Sequence, residues 1–524
     1  MDFYQIDRKL TAFEPFLNQL DQDQVMTRLW NKDPSLFVGK TLMLDWLNEP
    51  EKELKSLPHL IAVKDKALKT SCKAIVLLGM GGSSLATRVF HECLKSSSRP
   101  FFVFDTIHPS AIYRLEQQID IPSTLFIVAS KSGSTLEPNL LYHHFLSRLQ
   151  EAKVSDPFRH FMAITDPISP LEQLSVENGF LEGAFGEPNI GGRYSALSAF
   201  GILPSLLMDI DARTVLERAL TMAKLSGPST PIRKNPGGHL GAFLGHNALS
   251  GRIKIKFFFS PSLKPLGSWL EQLLAESLGK DQKGIIPIVS NDEKLLDPAS
   301  SMHCFIELVD EIGYVDQKNI LKERENSFAS LELLDRFDLG AEMFRWEVAV
   351  ALAGSIIGVN PFDQPNVEKS KERARAIMDN WDAKQHEQKE DSESSTIAFK
   401  AMINAAKNAS FTAILSYLDE NEANSALLEK LAMSIGQQIN KPVIVQTGPR
   451  YLHSTGQLFK GGANVGCFLI ITGPYEHNFP SDIKGLTFKD IHLSQALGDF
   501  EAMSSAARKI WRIHLTDVKE EITG

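Results

Sequence analysis

The chain has 524 residues, a net charge of −9 at pH 7, 43% hydrophobic and 23% charged residues. This is an ordinary globular mix with length for roughly three or four domains. The acidic balance weighs against nonspecific nucleic-acid or anionic-membrane binding, which wants a basic surface. The four cysteines, Cys72, Cys93, Cys304 and Cys467, form no CxxC or zinc-ligand pair, so reduced thiols in a cytoplasmic protein are expected. The start, MDFYQIDRKL, lacks the layout of a signal peptide, and no apolar run has the length of a membrane span.

Residues 1–70 read as helical, with charged and apolar residues interleaved. From Lys73 the pattern changes. Short apolar runs at 74–78, 101–104, 124–129 and 161–165 alternate with helical stretches such as 85–94. Continuous apolar strands alternating with helices predict an α/β fold with a parallel sheet covered on both faces. After Asn235-Pro236-Gly237-Gly238 a second unit begins, with strands at 253–259, 284–289 and 304–308 and a helix at 268–278. Residues 341–357 are apolar on nearly every side, so they predict a buried helix, ended by Pro361. The polar run 382–396 predicts a linker. A third unit follows, with a helix at 425–439 and strands at 442–446 and 466–472. The expected boundaries are therefore 1–70, 71–232, 233–381, 382–396 and 397–524.

Two loops share one layout of apolar strand, small polar loop and helix: Gly79-Met80-Gly81-Gly82-Ser83-Ser84 and Ser130-Lys131-Ser132-Gly133-Ser134-Thr135. Glycine lets backbone approach a ligand, and helix N-termini present unpaired N–H groups to an anion. Ser83, Ser132, Ser134 and Thr135 add hydroxyl donors, and Lys131 a charge if it points inward. Neither loop is a nucleotide phosphate loop or a dinucleotide fingerprint. One such loop reads equally well as an ordinary turn; two at successive strand ends point to a phosphate site. Read singly, Arg193 is a surface arginine or an oxyanion holder. Glu276 falls off the apolar stripe of Leu270, Leu273, Leu274 and Leu278 and reads as a solvated carboxylate. Lys371 reads as part of a solvated helix face. The loop Arg450–Gln457, with His453 and then Lys460, carries more donors beside glycines than a connection needs, which suits ligand contact.

Together these stretches resemble the glucose-6-phosphate isomerase family. GMGGSSLA (79–86), SKSGSTLEP (130–138), GGRYS (191–195), LLAESLGK (273–280) and NPFDQPNVEKSK (360–371) resemble its segments in family order. GAEMFRWE (340–347) and GPRYLHSTGQLFKGG (448–462) resemble the isomerase half of fused transaldolase/isomerase proteins, here without a barrel before Lys73. The resemblance implies two sugar-isomerase (SIS) doubly wound parallel-sheet domains plus a smaller C-terminal α/β unit. It implies a phosphate site at Gly82, Ser83, Ser130, Lys131, Ser132, Ser134 and Thr135, with Lys131 contributing its backbone more than its charge. It also implies Gly192 beside an enediolate-stabilising Arg193, Glu276 as the base, and Gln364 and Lys371 facing the sugar. His453 joins the substrate-binding set.

The chemistry implied is ring opening and proton transfer between C2 and C1 through a cis-enediol(ate). It needs no cofactor, no metal and no redox partner. The partner is a sugar phosphate; nucleic acid and membrane are not expected. A homodimer is one implied assembly, with the C-terminal unit as an alternative to the second copy. Where common members carry a ring-opening histidine, this chain has Glu342. Three groups are open for that step: Glu342, Lys371 or His453, with Lys371 assisted by Glu342 preferred. A mannose 6-phosphate preference, a non-catalytic sugar-phosphate sensor and an interaction scaffold are the other readings.

Overall fold

A computed structural model describes residues 4–6, 13–70, 72–94, 98–290, 293–297, 299–323, 328–381, 392–483 and 485–515. The chain divides into two compact units. One holds residues 1–104, 123–135 and 156–363, the other 105–122, 136–155 and 364–524. The second unit thus takes in two earlier segments besides the expected C-terminal region. Of the expected linker, residues 382–391 lie outside the described residues, while 392–396 open the helix Ser392–Ala406. That stretch holds no glycine or proline to resist a helix.

The first unit contains two sheets. Strand β1 (Tyr4–Ile6) departs from the helical expectation for residues 1–70. One sheet comprises β2 (Ala74–Gly79), β3 (Phe101–Phe104), β4 (Thr124–Ala129), β5 (Phe161–Thr165) and β6 (Leu181–Phe185). It is parallel throughout, in the order β3-β2-β4-β5-β6. The chain steps from β2 to one side and then returns to β4 on the other, so the crevice between the carboxyl ends of β2 and β4 is the topological switch point. The other sheet uses β7 (Lys254–Phe259), β8 (Ile286–Ile288), β9 (Ser301–Leu308) and β10 (Phe328–Leu333), in the order β1-β10-β9-β7-β8. Only β1 is antiparallel there.

The expected buried helix is Leu339–Ile357. It packs on the helices Ala212–Leu225, Pro236–Leu249 and Leu266–Leu278. Gly237, Gly241 and Gly245 recur every four residues on the Pro236–Leu249 helix. A Cβ on them would meet Val348, Leu352 and Ile356 within 2.6 to 2.9 Å, so only glycine permits this close crossing. The helix ends at Gly358, in the left-handed region, with the Val359 N–H on the Gly354 carbonyl. Gly358, not Pro361, is therefore the stop.

The second unit is built on β11 (Phe411–Ser416), β12 (Val443–Thr447), β13 (Gly466–Thr472) and β14 (Lys509–His514), all parallel, in the order β12-β11-β13-β14. Its core joins Ile414, Leu469 and Ile471 to Leu431 and Ile435 of the helix Glu422–Ile439. Among the described residues, no helix is long and apolar enough to cross a membrane.

The first unit also buries a carboxyl pair. Glu49 and Glu53 lie one turn apart on the helix Glu49–Leu68 and are 3% and 6% exposed. Burial pushes them up to about 7 and about 8, Lys52 opposing. Glu187 and Lys131 act on Glu49, and the Ala199 N–H faces Glu53. Carboxyls raised this way favour the folded state while protonated, and that contribution is lost as pH rises through about 7 to 8. The melting temperature should therefore fall from pH 5 to pH 9, and Glu53→Gln should flatten that decline; an equally steep decline in the variant would remove the pair as its cause.

Candidate active site

The register of β2 against β4 sets Gly79 beside Ala129, so the two small-residue loops leave the sheet at one level. In the first loop Gly81 has φ 55° and Ser83 is buried. Gly82 lies so near Gly192 that a Cβ on it would come within 2.1 Å of the Gly192 carbonyl oxygen. This close approach ties the first loop to the one carrying Arg193. In the second loop Ser130 Oγ donates to Thr135 Oγ1 at 2.9 Å, and Ser134 Oγ to Ser132 Oγ at 3.1 Å. Ser132 and Ser134 are exposed. The Lys131 ammonium turns away into the fold, donating to Asp166 Oδ1 at 2.6 Å and to the Glu187 carbonyl at 2.7 Å. Desolvation lowers Lys131 and raises Asp166, each shift opposed by the pairing. Its charge is therefore committed within the protein.

Arg193 is not a surface residue. It is 3% exposed on the short turn Gly192–Tyr194. Its Nε donates to Ser277 Oγ at 2.9 Å, and its Nη2 to the carbonyls of Pro361 and Asp363 at 2.6 and 2.9 Å. Its Nη1 lies 3.3 Å from Glu276 Oε1. Glu276 is likewise not solvated: the Leu266–Leu278 helix is buried on nearly every side, and Gln272 Nε2 donates to Glu276 Oε2 at 3.1 Å. A buried carboxylate flanked by a guanidinium is the pair a proton transfer with developing oxyanion charge requires.

Several members of this cluster were not marked in the sequence. Lys280 is buried and donates to the carbonyls of Asn360 and Asp363 at 2.5 and 2.6 Å, and to Asp363 Oδ1 at 2.7 Å. Burial and neighbouring Arg193 push it down to about 8. Ser277 Oγ also donates to the Tyr194 hydroxyl at 3.3 Å. The Glu276/Lys280 spacing is a signal for a helical ion pair, but Lys280 serves the 360–363 turn instead.

Glu342 does not join this cluster. It is 2% exposed, with Arg345 Nη2 3.1 Å from its Oε1, and it faces Asp338, Trp346 and Cys304. None of these holds Glu276. A carboxyl enclosed this way is a poor candidate for touching a sugar.

The remaining expected residues lie in the second unit. Gln364 is exposed. Lys371, on the helix Val367–Asp379, pairs with Glu368 of the same helix at 2.8 Å. That helix is held from below: Gln457 exchanges hydrogen bonds with Asn366 (3.0 and 2.8 Å), and Ser370 Oγ donates to Asp499 at 3.0 Å. Lys460 lies 2.6 Å from the same buried Asp499. His453 Nε2 lies 3.1 Å from Glu137 Oε1, which also accepts from Gln495 at 2.7 Å. Lys460 is therefore a packing partner of Asp499. Among the described residues no group of acidic, histidine and cysteine side chains is arranged to hold a metal.

The phosphoglucose isomerase family profile matches residues 32–301. The chain is 26% identical over 392 residues to the glucose-6-phosphate isomerase of Parabacteroides distasonis, covering 64% of this chain and 87% of that one. It is 29% identical over 359 residues to that of Campylobacter jejuni, covering 58% and 84%. In structure it resembles a hypothetical protein from Thermus thermophilus, with TM-score 0.60 and 24% identity over 72% of this chain and 99% of that one. It also resembles a glucose-6-phosphate isomerase from Chlamydia trachomatis, with TM-score 0.51 and 21% identity over 70% and 84%. The fold is accordingly two sugar-isomerase parallel-sheet domains with a smaller C-terminal α/β unit.

The loop geometry sets an asymmetric expectation. Gly82→Ala forces the two loops apart and should weaken inorganic phosphate binding at least about tenfold, whereas Gly192, whose Cβ would meet nothing within 4 Å, should accept alanine with little change. Phosphate titrations followed by thermal shift would show it; equal behaviour of the two variants would contradict the close approach.

Proposed function

The chain belongs to the phosphoglucose isomerase family, and we infer that it interconverts D-glucose 6-phosphate and D-fructose 6-phosphate. The observation that carries this is the buried Arg193–Glu276 pair, 3.3 Å apart, inside the region that matches the family. Glu276 takes the proton from C2 and returns it to C1, since in a cis-enediol both carbons present one face to a single base. Arg193 meets the negative charge that develops on the enediolate oxygens, a task a preorganised guanidinium performs without a metal. The phosphate is held by Gly82, Ser83, Ser130, Ser132, Ser134 and Thr135 and by the Lys131 backbone, at the carboxyl ends of β2 and β4. Gln364 and Lys371 complete the sugar contacts, following the family pattern in the NPFDQPNVEKSK segment.

The finer reading is a relative of the isomerase half of transaldolase/isomerase fusions. It rests on GAEMFRWE and GPRYLHSTGQLFKGG. Action in the cytoplasm, without cofactor and as a homodimer, is part of the same proposal.

Purified protein should convert fructose 6-phosphate to glucose 6-phosphate without added metal, and Glu276→Gln should lower kcat by about 10²–10⁴-fold, the usual worth of a positioned base. A folded wild type that binds the sugar phosphate without turning it over would refute the assignment. Arg193→Met should cost on the order of 3–5 kcal/mol of stability besides activity, because it leaves a buried carboxylate unpaired; denaturant unfolding measures it.

A further inference from the structure

Arg193 draws its contacts from two places in the first unit. The Leu266–Leu278 helix supplies Glu276 and Ser277. The turn at 360–363 supplies the carbonyls of Pro361 and Asp363. A guanidinium that must meet charge at one point needs those carbonyls fixed. Lys280 ties the two places together. It stands two residues beyond the helix, at the end that favours a positive charge, and its side chain is 2% exposed.

An ammonium has three protons to donate. Lys280 spends them on three oxygens of the turn: the Asn360 carbonyl at 2.5 Å, the Asp363 carbonyl at 2.6 Å and Asp363 Oδ1 at 2.7 Å. The Asp363 carbonyl also accepts from Arg193 Nη2 at 2.9 Å, so the two cations share one acceptor. Asn360 pins the turn through its side chain. Its Oδ1 accepts from the Phe362 N–H and its Nδ2 donates to the Thr41 carbonyl, both at 2.9 Å.

A neutral amine has two protons in place of three. Deprotonation of Lys280 therefore leaves one of the three oxygens without its donor and ends the attraction to the Asp363 carboxylate. Burial and the Arg193 charge lower Lys280, the Asp363 and Glu276 carboxylates oppose them, and it stands at about 8. Of its charged neighbours along the chain, Asp281 is exposed, and Lys283 donates to the carbonyls of Ile357 and Gly358.

We propose that Lys280 is a positioning residue for Arg193: its ammonium fixes the 360–363 carbonyls that aim the guanidinium, so the site works while Lys280 is protonated and fails when it is not. The inference rests on the isomerase reading and deepens it. Below the titration of Lys280 the clamp is complete. Above it the turn loosens and Arg193 loses its aim. Arg193 meets charge that develops in the transition state, so the loss falls on kcat and not on KM.

The test uses the full chain and two readouts. The first is kcat for fructose 6-phosphate between pH 6.5 and pH 9.5. Wild type should hold a plateau and fall above pH about 8. Lys280→Met keeps the stem without the charge. It should lower kcat at pH 7 by about 10- to 10²-fold, the usual cost of a misplaced group, leave KM within about twofold and lose the alkaline limb. Asp363→Asn removes the opposing carboxylate and should move the limb to lower pH by about one unit; it carries the test if Lys280→Met loses its cooperative melt. The second readout needs no turnover. The Arg193 Nε–H resonance of arginine-labelled protein, identified by its displacement in Ser277→Ala, should shift with a midpoint near pH 8 in wild type and stay fixed in Lys280→Met. An alkaline limb that persists unchanged in folded Lys280→Met overturns the inference, and so does an Arg193 resonance indifferent to pH. A wild type without turnover at any pH overturns the isomerase reading instead, and the Arg193 resonance then decides whether Lys280 holds the clamp.

Discussion

The buried guanidinium of Arg193 is the constraint around which the first unit is organised. It joins three stretches far apart in sequence: the Gly192–Tyr194 turn, the Leu266–Leu278 helix through Ser277 and Glu276, and the Pro361–Asp363 carbonyls. Lys280 caps the same turn through Asn360 and Asp363. Carbonyls withdrawn from water need donors, and a charge withdrawn from water needs a partner. Each requirement here is met by the other. The arrangement fixes the proposed base, Glu276, by Arg193 on one oxygen and Gln272 on the other.

Strands buried on both faces were legible as continuous apolar runs: β2, β4, β5, β7 and β13 fall where composition puts them. Of the strands at or near sheet edges, β3, β8 and β12 were also legible, whereas β1, β6 and β14 were not. β1 is three residues long, β6 mixes buried positions with charged and glycine ones, and β14 is for the most part only partly buried. β11, FTAILS, is central and buried throughout but carries a threonine and a serine, and it was not marked in the sequence. The two small-residue loops were readable because their chemistry is local. Composition and periodicity alone did not pair Arg193 with Glu276, since each looks solvent-facing by itself; only the family resemblance named them together. Glu342 is a different case. Its place in a family motif suggested a reacting group, and the fold gives it Arg345.

The same strand order runs through the molecule. Around β2, β7 and β11 the chain steps to one neighbour, then crosses to the other side. Each first strand therefore lies at a switch point, where open α/β sheets take ligands. Beyond β11 and β13, however, the C-terminal unit fills this place with its own side chains. Asp419 is held by Arg114, and Tyr475 stacks on His108. A crevice plugged by paired charges and rings is structural, so the repeated topology does not imply a repeated activity.

The commitment of Lys131 has a consequence for how a dianion is held. With its ammonium on Asp166 and the Glu187 carbonyl, the second loop presents hydroxyls, backbone N–H groups and a helix start, all formally neutral. Neutral dipoles converging at strand and helix ends suffice for phosphate. In the proposed reaction they also keep positive charge where negative charge would develop, on Arg193 beside Glu276. Under the proposed function, a chain of net charge −9 thus reserves its buried guanidinium for the enediolate and leaves the phosphate, which does not change in the reaction, to geometry.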